Sequence, residues 1–279
     1  MKLGIVDVGG GYRGIYAAGV LDYCMEHQIS FDLGIGVSAG SCNLLSFAAR
    51  QPGRNRKFYS EFGLRREYAG IGNFITKKSF VDLNYVEALS CAEGEYPLDY
   101  PAIAQSPMEL YIVATEARTG NARYFGKNQI RQDHYEVMKA SCALPVVCHP
   151  YTVDGIPYFD GALSDPVPVE KAFGLGCDRV VLLLTRPESE ALTPERDDRL
   201  AHLLRLHYPE AAEHLRLHAQ RYQEGIVLAQ AYRREGKLLI VSPDDTCGVR
   251  TLSRDANALD RLYQKGYADG EQIQCFLRR

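Results

Sequence analysis

The chain has 279 residues, 46 % hydrophobic and 24 % charged, with a formal net charge of −3. This composition describes a globular chain with room for one large core and excludes a disordered or fibrous one. The near balance of charge gives no reason to expect nucleic acid as a partner, and no run of about 18 apolar residues offers a membrane-spanning helix.

Leu3 to Val8 is an apolar run that ends in glycines, which predicts a buried strand. Gly9-Gly10-Gly11-Tyr12-Arg13-Gly14 follows, and then Ile15 to His27 with helical spacing. A second apolar run, Phe31 to Val37, ends in Gly36-Val37-Ser38-Ala39-Gly40, and a small-residue helical run continues to Ala49. Two strand–turn–helix units in a row predict parallel strands with right-handed crossovers. In the second unit the turn holds Ser38 at its apex, with Gly36 and Gly40 where strand and helix cross closely. Ala39 opens the helix, so its N–H and the helix dipole favour negative charge beside Ser38.

The first glycine loop fits Gly-x-Gly-x-x-Gly after a strand, which admits a dinucleotide-binding protein. That use calls for an acidic residue closing the second strand, whereas Asp32 begins it. The other use is chemical: consecutive glycines at the strand edge turn N–H groups toward one point, and beside a serine nucleophile they form an oxyanion hole. Arg13 either braces this loop or points to solvent.

Residues 50–78 carry Arg50, Arg54, Arg56, Lys57, Arg65, Arg66, Lys77 and Lys78, and 82–116 carry acids and no Lys or Arg. These runs read as solvated faces or, for the basic run with its interleaved aromatics, as a transient contact with an anionic membrane surface. Glu109 to Ala114 and Val180 to Leu184 predict buried strands, and Ile130 to Cys142 a helix. Tyr151 to Asp160 reads as a hairpin turning at Asp154-Gly155, with Asp160 at the end of its second strand beside Gly161-Ala162. A carboxylate there, next to small residues, can reach a serine directly. Of the seven histidines, none lies in a stretch that marks a site; a Ser–His–Asp triad using a later one, such as His202, is the competing arrangement. His214 and His218 share a helix face at i, i+4 without an adjacent acid, a pattern that reads as solvated, and no metal site is expected.

From Glu195 the pattern is helical. Leu215, Ala219, Tyr222, Ile226 and Ala229 form one apolar stripe; Lys237 to Val241 predicts a strand, and Leu252 to Ala268 a last helix. The eight cysteines are scattered with no Cys-x-x-Cys, and the N-terminus carries no apolar leader, so reduced core cysteines and a cytoplasmic location are expected.

Four motifs in order carry a family resemblance: Gly9 to Gly14, Gly36 to Gly40, Ala140-Ser141-Cys142-Ala143-Leu144-Pro145, and Asp160-Gly161-Ala162. The chain resembles the patatin-like phospholipases over about residues 1–185. The resemblance implies an α/β/α sandwich around a mainly parallel sheet. It also implies a Ser–Asp dyad of Ser38 and Asp160 with no histidine, an oxyanion hole in the Gly9–Gly14 loop, a lipid or acyl-ester substrate, and no cofactor. Asp165-Pro166 departs from the Asn-Pro usual in plant members. Residues 1–190 are expected to form the catalytic unit and 191–279 a helix-rich extension packed on it, with the oligomeric state open. A lipid- or acyl-binding module without turnover is the alternative on the same fold.

Overall fold

The computed structural model describes residues 1–77 and 79–278, so Lys78 lies outside the described residues. Its strands follow the apolar runs. β1 (Leu3–Asp7) and β2 (Leu33–Val37) are buried throughout and pair in parallel. In β2, Leu33, Ile35 and Val37 enter one core, while Gly34 and Gly36 face the helix that follows. A Cβ on Gly36 would come within 2.5 Å of the Ser41 Cα, so that helix can lie on the strand only because the side chain is absent. Further strands are β3 (Glu109–Glu116), β4 (Ala122–Gly126), β5 (Tyr151–Val153), β6 (Ile156–Asp160), β7 (Arg179–Leu183) and β8 (Leu238–Val241). Among the described residues these eight form one sheet in the order β5-β6-β3-β2-β1-β7-β8, with β4 on β3 as well. The five strands β3-β2-β1-β7-β8 run parallel, and β4, β5 and β6 join in antiparallel pairs.

The helices are α1 (Ile15–Glu26), α2 (Ala39–Ala48), α3 (Arg54–Ser60), α4 (Ile71–Lys77), α5 (Leu83–Ser90), α6 (Tyr100–Gln105), α7 (Glu136–Cys142), α8 (Val169–Gly174), α9 (Glu195–Leu204), α10 (Pro209–Arg216), α11 (His218–Arg234), α12 (Ala256–Asp269) and α13 (Glu271–Leu277). The sheet separates two cores. One takes apolar residues of α1, α2, α5, α7 and α12; the other takes those of α8 and α11. The result is a three-layer α/β/α sandwich with a mainly parallel sheet and a helix-rich C-terminal region. That region is built into the rest: β8 extends the sheet beside β7, and α12 crosses α1 where Gly19 and Gly266 let the two backbones meet. Tyr263 and Asp22 tie the crossing at 2.8 Å. α9 and α10 form a third, smaller cluster over Phe159 and Leu163, at the end of β6.

Three predicted boundaries shift. α7 starts at Glu136 and not Ile130, because Asp133 sits at φ 61°, a left-handed conformation that a helix interior excludes. The last long helix starts at Ala256, where the Asp255 side chain accepts from the N–H groups of Asn257 and Ala258. The stripe from Leu215 to Ala229 is buried as expected, but the helix breaks at Leu217. β4 follows no apolar run in the sequence, and its first two residues are exposed.

Candidate active site

Ser38 stands between β2 and α2 with φ 55° and ψ −131°, a conformation that costs an L-residue about 1–3 kcal/mol. Hydrogen bonds on both sides hold it. Its N–H donates to Ser141 Oγ at 3.0 Å, and its carbonyl accepts from Ser41 Oγ at 2.6 Å and Ser41 N at 2.9 Å. Gly40 has no room for a side chain against the Asp7 carbonyl. Ala39 is the first residue of α2, so its N–H has no intrahelical acceptor.

The sheet register brings Asp160 to this serine. β3 is longer than β2: Val37 pairs with Val113, the last β3 residue that β2 reaches. β6 pairs from the next residue on, with Asp160 opposite Ala114. β6 runs antiparallel, so the ends of β2 and β6 meet head to head along one edge of β3. Gly161 permits the approach, since a Cβ there would collide with the Val113 carbonyl. The Ser38 hydroxyl donates to Asp160 Oδ2 at 2.6 Å, and Ala162 N–H donates to Oδ1 at 2.9 Å. The Asp160 backbone is held by Ala143 O at 2.9 Å and Thr115 Oγ1 at 2.8 Å. Ser141 and Ala143 thus carry the Ala-Ser-x-Ala-x-Pro turn to both partners.

Asp160 is fully buried, and burial pushes its carboxyl up to about 6. The bonds from Ser38 and Ala162 and the attraction of His218 act the other way. Asp7 is the second buried carboxyl, also pushed up to about 6 by burial. It accepts from Gly9 N–H at 2.9 Å and from Asn43 Nδ2 at 3.0 Å, which locks the glycine loop to α2.

The loop residues divide. The Gly9 N–H is taken by Asp7 and that of Tyr12 by Thr251 O at 3.1 Å. Those of Gly10 and Gly11 have no acceptor among the described residues. Of the three consecutive glycines expected to turn their N–H groups toward one point, Gly9 is thus engaged within the loop. Gly9, Gly10 and Gly11 all have positive φ, and Gly9 packs on Val37 O and Ala39 N too closely for a Cβ. The Tyr12 side chain is buried and bonds Gly63 O, Arg13 donates to Thr251 Oγ1 at 3.1 Å, and the Gly14 carbonyl accepts from Asn43. Asp32 binds Leu3 N–H at the start of β1, the opposite edge from the loop, so the acid that a dinucleotide ribose requires is absent there.

Ser38 lies where two cavities meet. One is narrow, about 80 Å³, and apolar, lined by Leu45, Phe58, Tyr68, Val86, Met138 and Cys142 among others. The other is wider, about 390 Å³, and contains Asp160, Arg13, Arg186, Arg250 and His218. His202 is exposed on α9 and lines neither. His218 is partly buried, not solvated as its spacing from His214 suggests; its partner Asp197 is distant in the chain, so no local pattern marks it. The basic run is partly spent internally. Arg54 is buried and bonds Ser90 and Tyr96 O, Arg56 pairs with Asp260, and Arg65 with Glu95. All eight cysteines are free.

A family model described as Patatin-like phospholipase matches residues 8–173, and one described as Domain of unknown function (DUF6363) matches residues 208–274. The uncharacterized protein YjjU of Escherichia coli (strain K12) is 32 % identical over 197 residues, covering 70 % of this chain and 55 % of that protein. The uncharacterized NTE family protein Mb1092c of Mycobacterium bovis is 26 % identical over 197 residues, 67 % of this chain and 49 % of its own length. The chain spans about half the length of these curated relatives. The crystal structure of VipD from Legionella pneumophila aligns with 98 % of this chain and 66 % of its own at a TM-score of 0.48 and 16 % identity. No helix among the described residues is long and apolar enough to cross a membrane.

Proposed function

This chain belongs to the patatin-like phospholipase family, and on that premise we propose that it is a serine hydrolase of lipid acyl esters. Ser38 is the nucleophile and Asp160 the base that takes its proton. The observation that carries this reading is the 2.6 Å bond from Ser38 Oγ to a fully buried Asp160, at the mouth of an apolar cavity. An ordinary Asp is too acidic to deprotonate a hydroxyl well; burial raises its basicity. Attack on the ester carbonyl develops an oxyanion, which the N–H groups of Gly10, Gly11 and Ala39 receive; one such donor is worth about 10²–10³ in rate. The acyl chain lies in the narrow cavity, and the alcohol portion occupies the wide one, where Arg13, Arg186 and Arg250 suit an anionic head group. Water then releases the acyl group from Ser38.

The test is hydrolysis of short-chain p-nitrophenyl esters by the parent, Ser38→Ala and Asp160→Asn, with fluorophosphonate labelling of the serine. Loss of turnover in both variants and labelling of the parent at Ser38 are the expected outcome. Full activity in folded Asp160→Asn refutes the dyad, and a folded parent that neither turns over nor labels leaves the binding module.

A further inference from the structure

A second acid–base pair reaches the same cavity from the C-terminal region. His218 is the first residue of α11 and Asp197 lies in the first turn of α9; His218 Nδ1 and Asp197 Oδ2 are 2.8 Å apart. The carboxylate can only accept, so the Nδ1 proton lies in this bond and Nε2 is the ring nitrogen left to exchange protons. Both side chains are partly buried, and both line the wide cavity with Ser38, Asp160 and Ala162. Other charged groups on that wall are Arg13, Arg186, Glu190 and Arg250, of which Arg186 and Glu190 pair at 2.9 Å.

Asp160 has both oxygens engaged on the nucleophile side, by Ser38 and by Ala162 N–H. In the reading above the leaving alcohol occupies the wide cavity, which His218 lines as well as Asp160. Building on the function proposed above, we propose that His218, oriented by Asp197, protonates the departing alkoxide and then deprotonates the attacking water. In acylation the Ser38 proton passes to Asp160, the Oγ–acyl bond forms, and the ester C–O bond breaks. The leaving oxygen takes a proton from the His218 imidazolium. Asp160 is then neutral and His218 is neutral. In deacylation water adds to the acyl carbon and gives a proton to His218, while Ser38 Oγ leaves and recovers its proton from Asp160. Both groups return to their starting charge, with no other reactant than water.

The separating experiment uses two esters of one acyl group, p-nitrophenyl butyrate and ethyl butyrate, with the parent, His218→Gln and Asp197→Asn. p-Nitrophenolate leaves without a proton, whereas ethoxide needs one. In His218→Gln the ethyl ester is expected to lose about 10²-fold or more. The p-nitrophenyl ester is expected to give a burst of one product per labelled Ser38, at a rate within about fivefold of the parent, followed by slow turnover. Asp197→Asn, which leaves the imidazole in place, repeats the pattern more weakly through the wrong tautomer. Equal losses on both esters without a burst, or an unchanged ethyl-ester rate, overturn the proposal, since a merely structural His218 cannot distinguish leaving groups. A parent that hydrolyses neither ester and fails to label at Ser38 overturns the serine-hydrolase reading instead.

Discussion

Replacing Asp160 by Asn should stabilise the protein while abolishing turnover. Asp160 is fully buried, and its carboxyl moves from 3.8 to about 6 on folding. Holding it ionised above that range costs about 3 kcal/mol of folding stability, at 1.36 kcal/mol for each tenfold. Asn keeps the shape. Its carbonyl accepts from Ala162 N–H and its amide donates to Ser38 Oγ, whose own hydrogen turns to the cavities that the serine lines. The expected gain is about 1–3 kcal/mol near pH 8. A carboxyl raised on folding contributes stability that is present below its unfolded value and lost as pH rises through about 6. The advantage of the variant must therefore shrink toward about pH 4, where the parent's Asp160 is neutral as well. Asp7, raised to a similar value, titrates in both proteins and cancels. Urea unfolding of the two proteins near pH 8 and pH 4 reads the difference, and ester hydrolysis reads an activity loss of about 10²–10⁴. A variant that is less stable than the parent at pH 8, or whose advantage does not vary with pH, would refute the reasoning.

Three further outcomes follow from the same geometry. Ester hydrolysis needs ionised Asp160, so kcat/KM is expected to fall about tenfold per pH unit below about 6, a limb that a pH–rate profile either contains or lacks. Gly9→Ala adds a Cβ against the Val37 carbonyl at φ 68°, and should lower Tm by several degrees and remove activity together, whereas an intact, active variant would mean that loop and elbow do not pack as described. Val86→Phe shortens the apolar cavity; displacing two methylenes at about 0.8 kcal/mol each should raise KM for long-chain esters about tenfold and leave butyrate esters untouched, as chain-length kinetics will report.

The motifs around Ser38 and Asp160 are legible in the chain because their constraints are local. A serine at positive φ needs glycines on both flanks, and a strand end that touches another backbone needs Gly161, whatever the rest of the protein does. The parallel sheet was readable for a similar reason, since buried strands between helices must be apolar throughout. The family resemblance added the pairing of the two motifs, but only the register supplies its cause: β2 ends opposite Val113, and β6 ends opposite Ala114. Tertiary structure alone decided that Gly9 and Tyr12 are spent on Asp7 and Thr251, leaving Gly10 and Gly11 as donors. It alone brought Asp197 and His218 to the cavity, because α9 and α10 pack over the end of β6 and α10 runs almost directly into His218 at the start of α11. Sequence spacing records what one segment needs for itself; which side chains share a cavity depends on how distant segments pack, and composition and period carry no trace of that.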